Sequence, residues 1–178
     1  VCLGAWSLMG QDIPLPAPRT DGSCPSVSIL SQRESTRSFR SDPLPRRVVG
    51  EMLWAALGVN RPLSGHRTTN FSWASRDTGI YVASAQGVFL YRAEDHALVR
   101  VIDDDIRSRI DPAYAQAPVT FIYVSDDDRL TSAGSSRYYY AALHAGFCAA
   151  NVYWYAAAES LGAVVRSSFP ESLAQTLT

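Results

Sequence analysis

Lysine is missing altogether: all 16 basic residues are Arg. That removes Schiff-base chemistry and a lysine phosphate clamp. Anion binding is left to guanidinium forks, which suit bidentate phosphate contacts. Cysteine is scarce as well. Cys2, Cys24 and Cys148 form an odd set of 3 without CxxC spacing, so no disulfide framework or thiolate metal site is readable. Cys148 falls in an apolar helical pattern and reads as a small buried hydrophobe rather than a nucleophile. The 3 histidines, His66, His96 and His144, are isolated from one another and from cysteine. An excess of one charge is also lacking. The formal net charge is −1, which excludes a whole-chain electrostatic footprint for nucleic acid or an anionic membrane. No apolar run reaches the roughly 20 residues that a membrane-spanning helix needs. Repeats and low-complexity tracts are absent.

What remains is the composition of a globular chain. Its 178 residues are 47% hydrophobic and 19% charged, enough for one domain with a proper core. Residues 1–9 (VCLGAWSLM) are apolar and small, and a proline-rich stretch at 13–18 follows Gly10, Gln11 and Asp12. This resembles the end of a secretory hydrophobic region, a cleavage zone and an extended tether. Residues 1–26 are therefore expected to be an N-terminal arm, or the remnant of an export signal with its tether. An exported or periplasmic location is favoured over a cytoplasmic one.

Periodicity orders the rest. A short helix is expected over 27–32. Pro45 opens a second helix, with Val48, Val49, Met52, Leu53, Ala56 and Leu57 at helical spacing and Gly58 as its stop. Residues 59–77 are polar and rich in turn formers, a loop long enough to suspect function. Strand-like runs follow at 80–85, 88–92 and 97–102, then a helical piece around 104–110. The continuous apolar run 119–124 (VTFIYV) reads as a strand buried on both faces. Tyr140, Leu143, Phe147, Ala150, Trp154, Ala157 and Leu161 then alternate steps of three and four. That is a seam for packing along another helix, in the core or across a subunit interface. Gly162 is expected to cap this helix, 163–166 to return as a strand, and Pro170 to start a last short helix.

The densest polar constellation is 33–40 (RESTRSFR), where Arg33, Arg37 and Arg40 interleave with Ser35, Thr36 and Ser38. Guanidinium forks and hydroxyl donors together satisfy a phosphate dianion; the bland alternative is a solvated loop. The acidic runs 103–105 and 126–128 lack the alternating ligand spacing of a calcium loop and read as solvated acids. Tyr138, Tyr139 and Tyr140 read as helix packing with one exposed ring.

These segments carry a resemblance. RESTRSF (33–39), a Pro-initiated helix ending MLWAALGVNRP (52–62) and GHRT (65–68) occur in the order seen in the flavin-dependent nitroreductase family. IYVASAQGVFLYRAEDHALVRV (80–101), APVTFIYVSD (117–126) and HAGFCAANVYWYAAAESLGAVVR (144–166) continue that order. Within the family the chain is most similar to the SagB-type, thiazole-oxidase-like branch, and the resemblance spans residues 27 to 177. It implies an α+β, nitroreductase-like three-layer sandwich: a central antiparallel or mixed sheet flanked by helices, with a long central dimerisation helix. It further implies a homodimer formed near Phe147 and Trp154, with FMN in interface clefts and either NAD(P)H or the substrate as electron donor. Arg33, Ser35 and Arg37 match the motif that holds the FMN phosphate and polyol. Ser167 and Ser168 fall where a small pair lies beside the flavin.

The resemblance also departs from the family pattern. Where the family reads the flavin's pyrimidine edge with an asparagine, this chain has Ala74; Asn70, Ser72 or Arg76 is left to take that role. The domain, 27–178, reads as C-terminally short, without the strand that supplies a further basic phosphate ligand. The expected function is an FMN-dependent oxidoreductase acting on nitro, quinone-like or other small acceptors. The alternative is a degenerate binding or assembly subunit that keeps the fold without redox activity.

Overall fold

Apolar side chains every three or four positions make the second helix of the computed structural model, α2 (Arg46–Leu57), bury Val48, Met52, Leu53, Ala56 and Leu57. Residue 17 and residues 20–177 are described; the arm or export signal expected at the N-terminus lies, through residue 16, outside the described residues. The helix α1 (Pro25–Gln32) precedes α2, and a small hairpin of β1 (Val59–Arg61) and β2 (His66–Arg67) opens the loop that follows it. Gly58 ends α2 as expected, for a steric reason: a Cβ there would meet the Trp54 ring at 2.3 Å.

The sheet is built from β3 (Thr78–Ser84), β4 (Gly87–Arg92), β5 (Ala97–Ile102) and β6 (Val119–Ser125). Its order is β5-β4-β3-β6, and every pairing is antiparallel. Alternation along β3 sorts the core into two layers. Ile80 and Val82 pack with Met52 and Leu53 of α2 and with Cys148 and Val152 of the long helix α4 (Arg137–Ala158). Tyr81 and Ala83 point to the other face, toward Ile106 and Leu177. There lie α3 (Arg107–Ile110) and α5 (Glu171–Leu177), and the Tyr81 hydroxyl donates to the Leu177 carbonyl at 2.8 Å. The result is the expected three-layer α+β sandwich. Each large side chain buried in it contributes on the order of 2 kcal/mol. Among the described residues, no helix is long and apolar enough to cross a membrane.

Four expectations need correction. The 119–124 run is not buried on both faces: only Ile122 of β6 is fully buried, because β6 is an edge strand paired on one side alone within the described residues. Residues 163–166 are extended but join no sheet; the backbone contact there is the Thr36 N–H donating to the Ala163 carbonyl at 2.9 Å. Gly162 does not cap α4, which ends at Ala158. It serves a close approach instead, since a Cβ there would meet Thr36 Cγ2 at 2.9 Å. Two rings of the tyrosine run are exposed rather than one, Tyr138 and Tyr139.

The interhelical seam is settled by burial. The core side of α4 is His144, Cys148, Ala149, Val152 and Ala156, whereas Phe147 and Trp154 stay 39% and 42% exposed. Phe147 and Trp154 of the seam therefore face away from this chain's own core, whereas Leu161 packs against it.

Candidate functional site

Between α1 and α2, residues 33–40 form neither helix nor strand. Thr36, Ser38 and Arg40 line a groove of about 1190 Å³ along the open edge of β6, walled on its far side by Tyr114 and Phe169. Arg33 and Ser35 of the same segment meet Tyr153 of α4, which also lines the groove. The Ser35 and Tyr153 hydroxyls lie 2.9 Å apart, and the Arg33 guanidinium sits 5.3 Å from the Tyr153 ring centroid. The same phenol oxygen accepts the Val165 N–H at 2.9 Å. One tyrosine thus ties the Arg/Ser motif to the segment that carries Ser167 and Ser168, both exposed. Arg40 is engaged by Asp42 at 2.7 Å. Among the described residues, Arg33 and Arg37 enter no ion pair, and Arg37 reaches only the Ser35 carbonyl, at 3.4 Å. Two exposed cations with a half-buried hydroxyl between them in the sequence are a donor set for an anion.

Ser72 and Arg76 lie elsewhere. Their loop packs on the N-terminal half of α4, where the Ser72 N–H donates to His144 Nε2 at 3.0 Å. His144 and Tyr153 are nine residues apart on α4, about 13 Å along the axis. Within one chain the structure therefore splits the sequence-expected set: Arg33 and Ser35 meet Tyr153, Arg37 reaches the Ser35 carbonyl, Ser167 and Ser168 line the groove with Tyr153, and Ser72 and Arg76 do not join them. Arg76 instead reaches the Ser64 carbonyl at 3.5 Å. Asn70 is exposed, as is Ala74.

A buried polar network holds this second region. With Nε2 accepting, His144 donates through Nδ1 to Asp77 Oδ1, 2.7 Å away, and both side chains are fully buried. Ser75 Oγ donates to the same carboxylate at 2.5 Å and Ser125 Oγ at 2.9 Å. Burial pushes the Asp77 carboxyl up, but the hydrogen bonds from Ser75, Ser125 and His144 together hold it below the ordinary carboxylate range. Above the network the backbone is strained: Trp73, Ala74 and Arg76 have φ of 54°, 53° and 48°. Trp73 packs edge-on against Tyr140, with centroids 4.6 Å apart. Cys148 is buried, and burial pushes its thiol up to about 11, as its reading as a hydrophobe requires.

The sequence reading missed Tyr153, His144 and Asp77. Tyr153 sits beside the Trp154 seam in an alanine-rich helix, and a tyrosine off the apolar face with a polar tip was the available signal. Asp77 and His144 are 67 residues apart, and no local spacing marks such a pair. Among the described residues no group of three or more His, Cys, Asp or Glu is placed to share a metal ion.

Comparison with known proteins agrees with this architecture. A protein of Methanocaldococcus jannaschii, named as a candidate nitroreductase, is 30% identical over 154 residues, covering 79% of this chain and 77% of that protein. A crystal structure of a Ralstonia eutropha protein, likewise described as a candidate nitroreductase, superposes with a TM-score of 0.81 at 34% identity, covering 91% of this chain and 79% of that one. The Escherichia coli microcin synthetase McbBCD complex, solved with truncated pro-MccB17 bound, contains a chain of the same fold, with TM-score 0.74 at 15% identity over 94% of this chain and 69% of that one. The profile described as the Nitroreductase family matches residues 30–177. The chain belongs to the nitroreductase family, whose chemistry is that of an oxidoreductase.

Proposed function

We propose that the protein is an FMN-dependent oxidoreductase, passing electrons from NAD(P)H or from the substrate to nitro, quinone-like or other small acceptors. One observation carries the reading: Arg33 and Arg37 are exposed on either side of the half-buried Ser35 in the sequence and have no carboxylate partner among the described residues. A phosphate ester fits that donor set. FMN, when bound, supplies the hydride chemistry itself. The chain's own task is to bind and orient it: Arg33 and Arg37 neutralise the phosphate, and Ser35 donates a hydrogen bond to it. The exposed backbone around Ser167 and Ser168 lies alongside, tied to the row through Tyr153.

The edge of the flavin is the harder part, because Ser72 and Arg76 sit at the other end of α4. A homodimer resolves this. The exposed Phe147 and Trp154 side of α4 suits a second copy. A two-fold axis perpendicular to α4 would bring the 70–77 loop of that copy toward the Tyr153 end of this one. Each cleft would then draw its phosphate donors from one chain and its edge contacts from the other.

A second reading has its own observation. Ala74 offers no amide, and the Ser72 N–H and the Ser75 hydroxyl of its loop are engaged by His144 and Asp77. A binding or assembly subunit that keeps the fold without redox activity fits that loop. The purified full-length chain distinguishes the two. A yellow protein that releases FMN on denaturation is expected. A colourless chain that takes up no added FMN would replace the enzyme reading with the subunit reading.

A further inference from the structure

We propose that Tyr153 is a positioning residue for the anion site: its hydroxyl fixes the direction in which Ser35 donates. The proposal rests on the FMN reading of the Arg33, Ser35 and Arg37 row. The Val165 N–H donates to the phenol oxygen at 2.9 Å, taking one of its accepting positions. Ser35 Oγ lies 2.9 Å from the same oxygen, and in the proposal the phenol is the donor of that hydrogen bond. With that lone pair taken, the Ser35 O–H is left to donate to a ligand held by Arg33 and Arg37. A free serine hydroxyl rotates among several directions; this one is set in advance toward the ligand, which lowers the ordering cost of binding. Arg33, whose guanidinium lies 5.3 Å from the Tyr153 ring centroid, is steered by the same side chain.

Tyr153 also reinforces the junction of two segments, before α2 and after α4, that the Thr36 N–H to Ala163 carbonyl hydrogen bond already joins. A brace of that kind would support any ligand at the site equally. A proton relay to Ser35 serves only a ligand that carries an anion there. FMN and riboflavin differ by that group alone, so their comparison separates relay from brace.

The experiment measures the dissociation constants of FMN and of riboflavin by flavin fluorescence, on the full chain. The variants are Tyr153→Phe, Ser35→Ala and the pair combined, with thermal melts to check folding. Tyr153→Phe keeps the ring beneath Arg33 and loses only the hydroxyl. It is expected to weaken FMN about tenfold, the scale of one hydrogen bond to a charged group, and to leave riboflavin unchanged. Ser35→Ala is expected to do the same, and the double variant to bind FMN no worse than the weaker single variant. Equal weakening of both flavins by Tyr153→Phe would reduce the tyrosine to a brace and overturn the proposal. So would an unchanged FMN constant, or losses that multiply in the double variant. Ser35→Ala tests the relay from its far end even if Tyr153→Phe does not fold: an undiminished preference for FMN over riboflavin also overturns it. A parent chain that binds neither flavin defeats the cofactor reading itself. A parent that binds FMN beside an unaffected Tyr153→Phe defeats only the relay.

Discussion

The two ends of α4 hold two polar clusters of opposite character. Near its N-terminal half, His144, Asp77, Ser72, Ser75 and Ser125 satisfy one another, and the His and Asp side chains are fully buried. Near its C-terminal half, Tyr153 satisfies Ser35 and Val165 but leaves Arg33 and Arg37 facing solvent. The lesson concerns how a site is recognised. A closed network spends its donors on itself and so specifies structure; a row of donors without acceptors is shaped for a ligand. By that criterion the Arg33 row is the proposed ligand site, and the His144 network holds the strained 73–76 loop in place.

The comparison breaks most severely if the α4 face is disrupted, because the two ends are proposed to meet across it. Phe147→Asp is expected to yield monomers or insoluble protein, read by size-exclusion chromatography with light scattering. A soluble dimer of normal stability would place the interface elsewhere. Next in size is the closed network. Asp77→Ala leaves His144 and two serines without their acceptor and is expected to cost roughly 3 kcal/mol in denaturant unfolding. The sign of its pH dependence follows from the depressed carboxyl. The contribution of Asp77 is complete above the ordinary carboxylate value of about 3.9 and is lost as pH falls through its lower folded value. The gap between parent and variant should therefore close on acidification below about pH 4; a gap constant with pH would mean that the carboxylate charge is not what the network uses.

Smallest is Ala74→Asn. Ala74 has φ of 53°, a region asparagine tolerates better than alanine. The variant is expected to gain about 0.5 kcal/mol of stability, read as a raised Tm. If the 70–77 loop also reads a flavin edge, the new amide should tighten FMN by roughly 0.5–1.5 kcal/mol. A stabilised variant with unchanged FMN affinity would separate the strain of this loop from any role at the cofactor.

Much of the fold was legible in the sequence because its signals are local. The spacing of Val48, Met52, Leu53, Ala56 and Leu57 predicts α2 and its buried face, and the runs bounded by Gln86 and Gly87 predict the β3–β4 hairpin. The edge position of β6 was not legible, because a run such as VTFIYV carries no record of whether a strand lies on its second side. The same holds for 163–166, whose partner is Thr36 rather than a strand. Within the candidate site, the Arg33, Ser35 and Arg37 alternation could be read directly from the sequence. The residue that organises them could not. Tyr153 lies 118 positions from Ser35, and only the packing of α4 against the 33–37 segment brings the two together.

The central claim is that the row of Arg33, Ser35 and Arg37 is an FMN phosphate site. Its most direct test is the FMN dissociation constant of the parent chain and of Arg33→Ala, each measured beside riboflavin. Arg33→Ala is expected to weaken FMN by roughly tenfold to a hundredfold, the loss of one charge-assisted contact, while riboflavin affinity stays the same. FMN binding that survives Arg33→Ala undiminished would contradict the account.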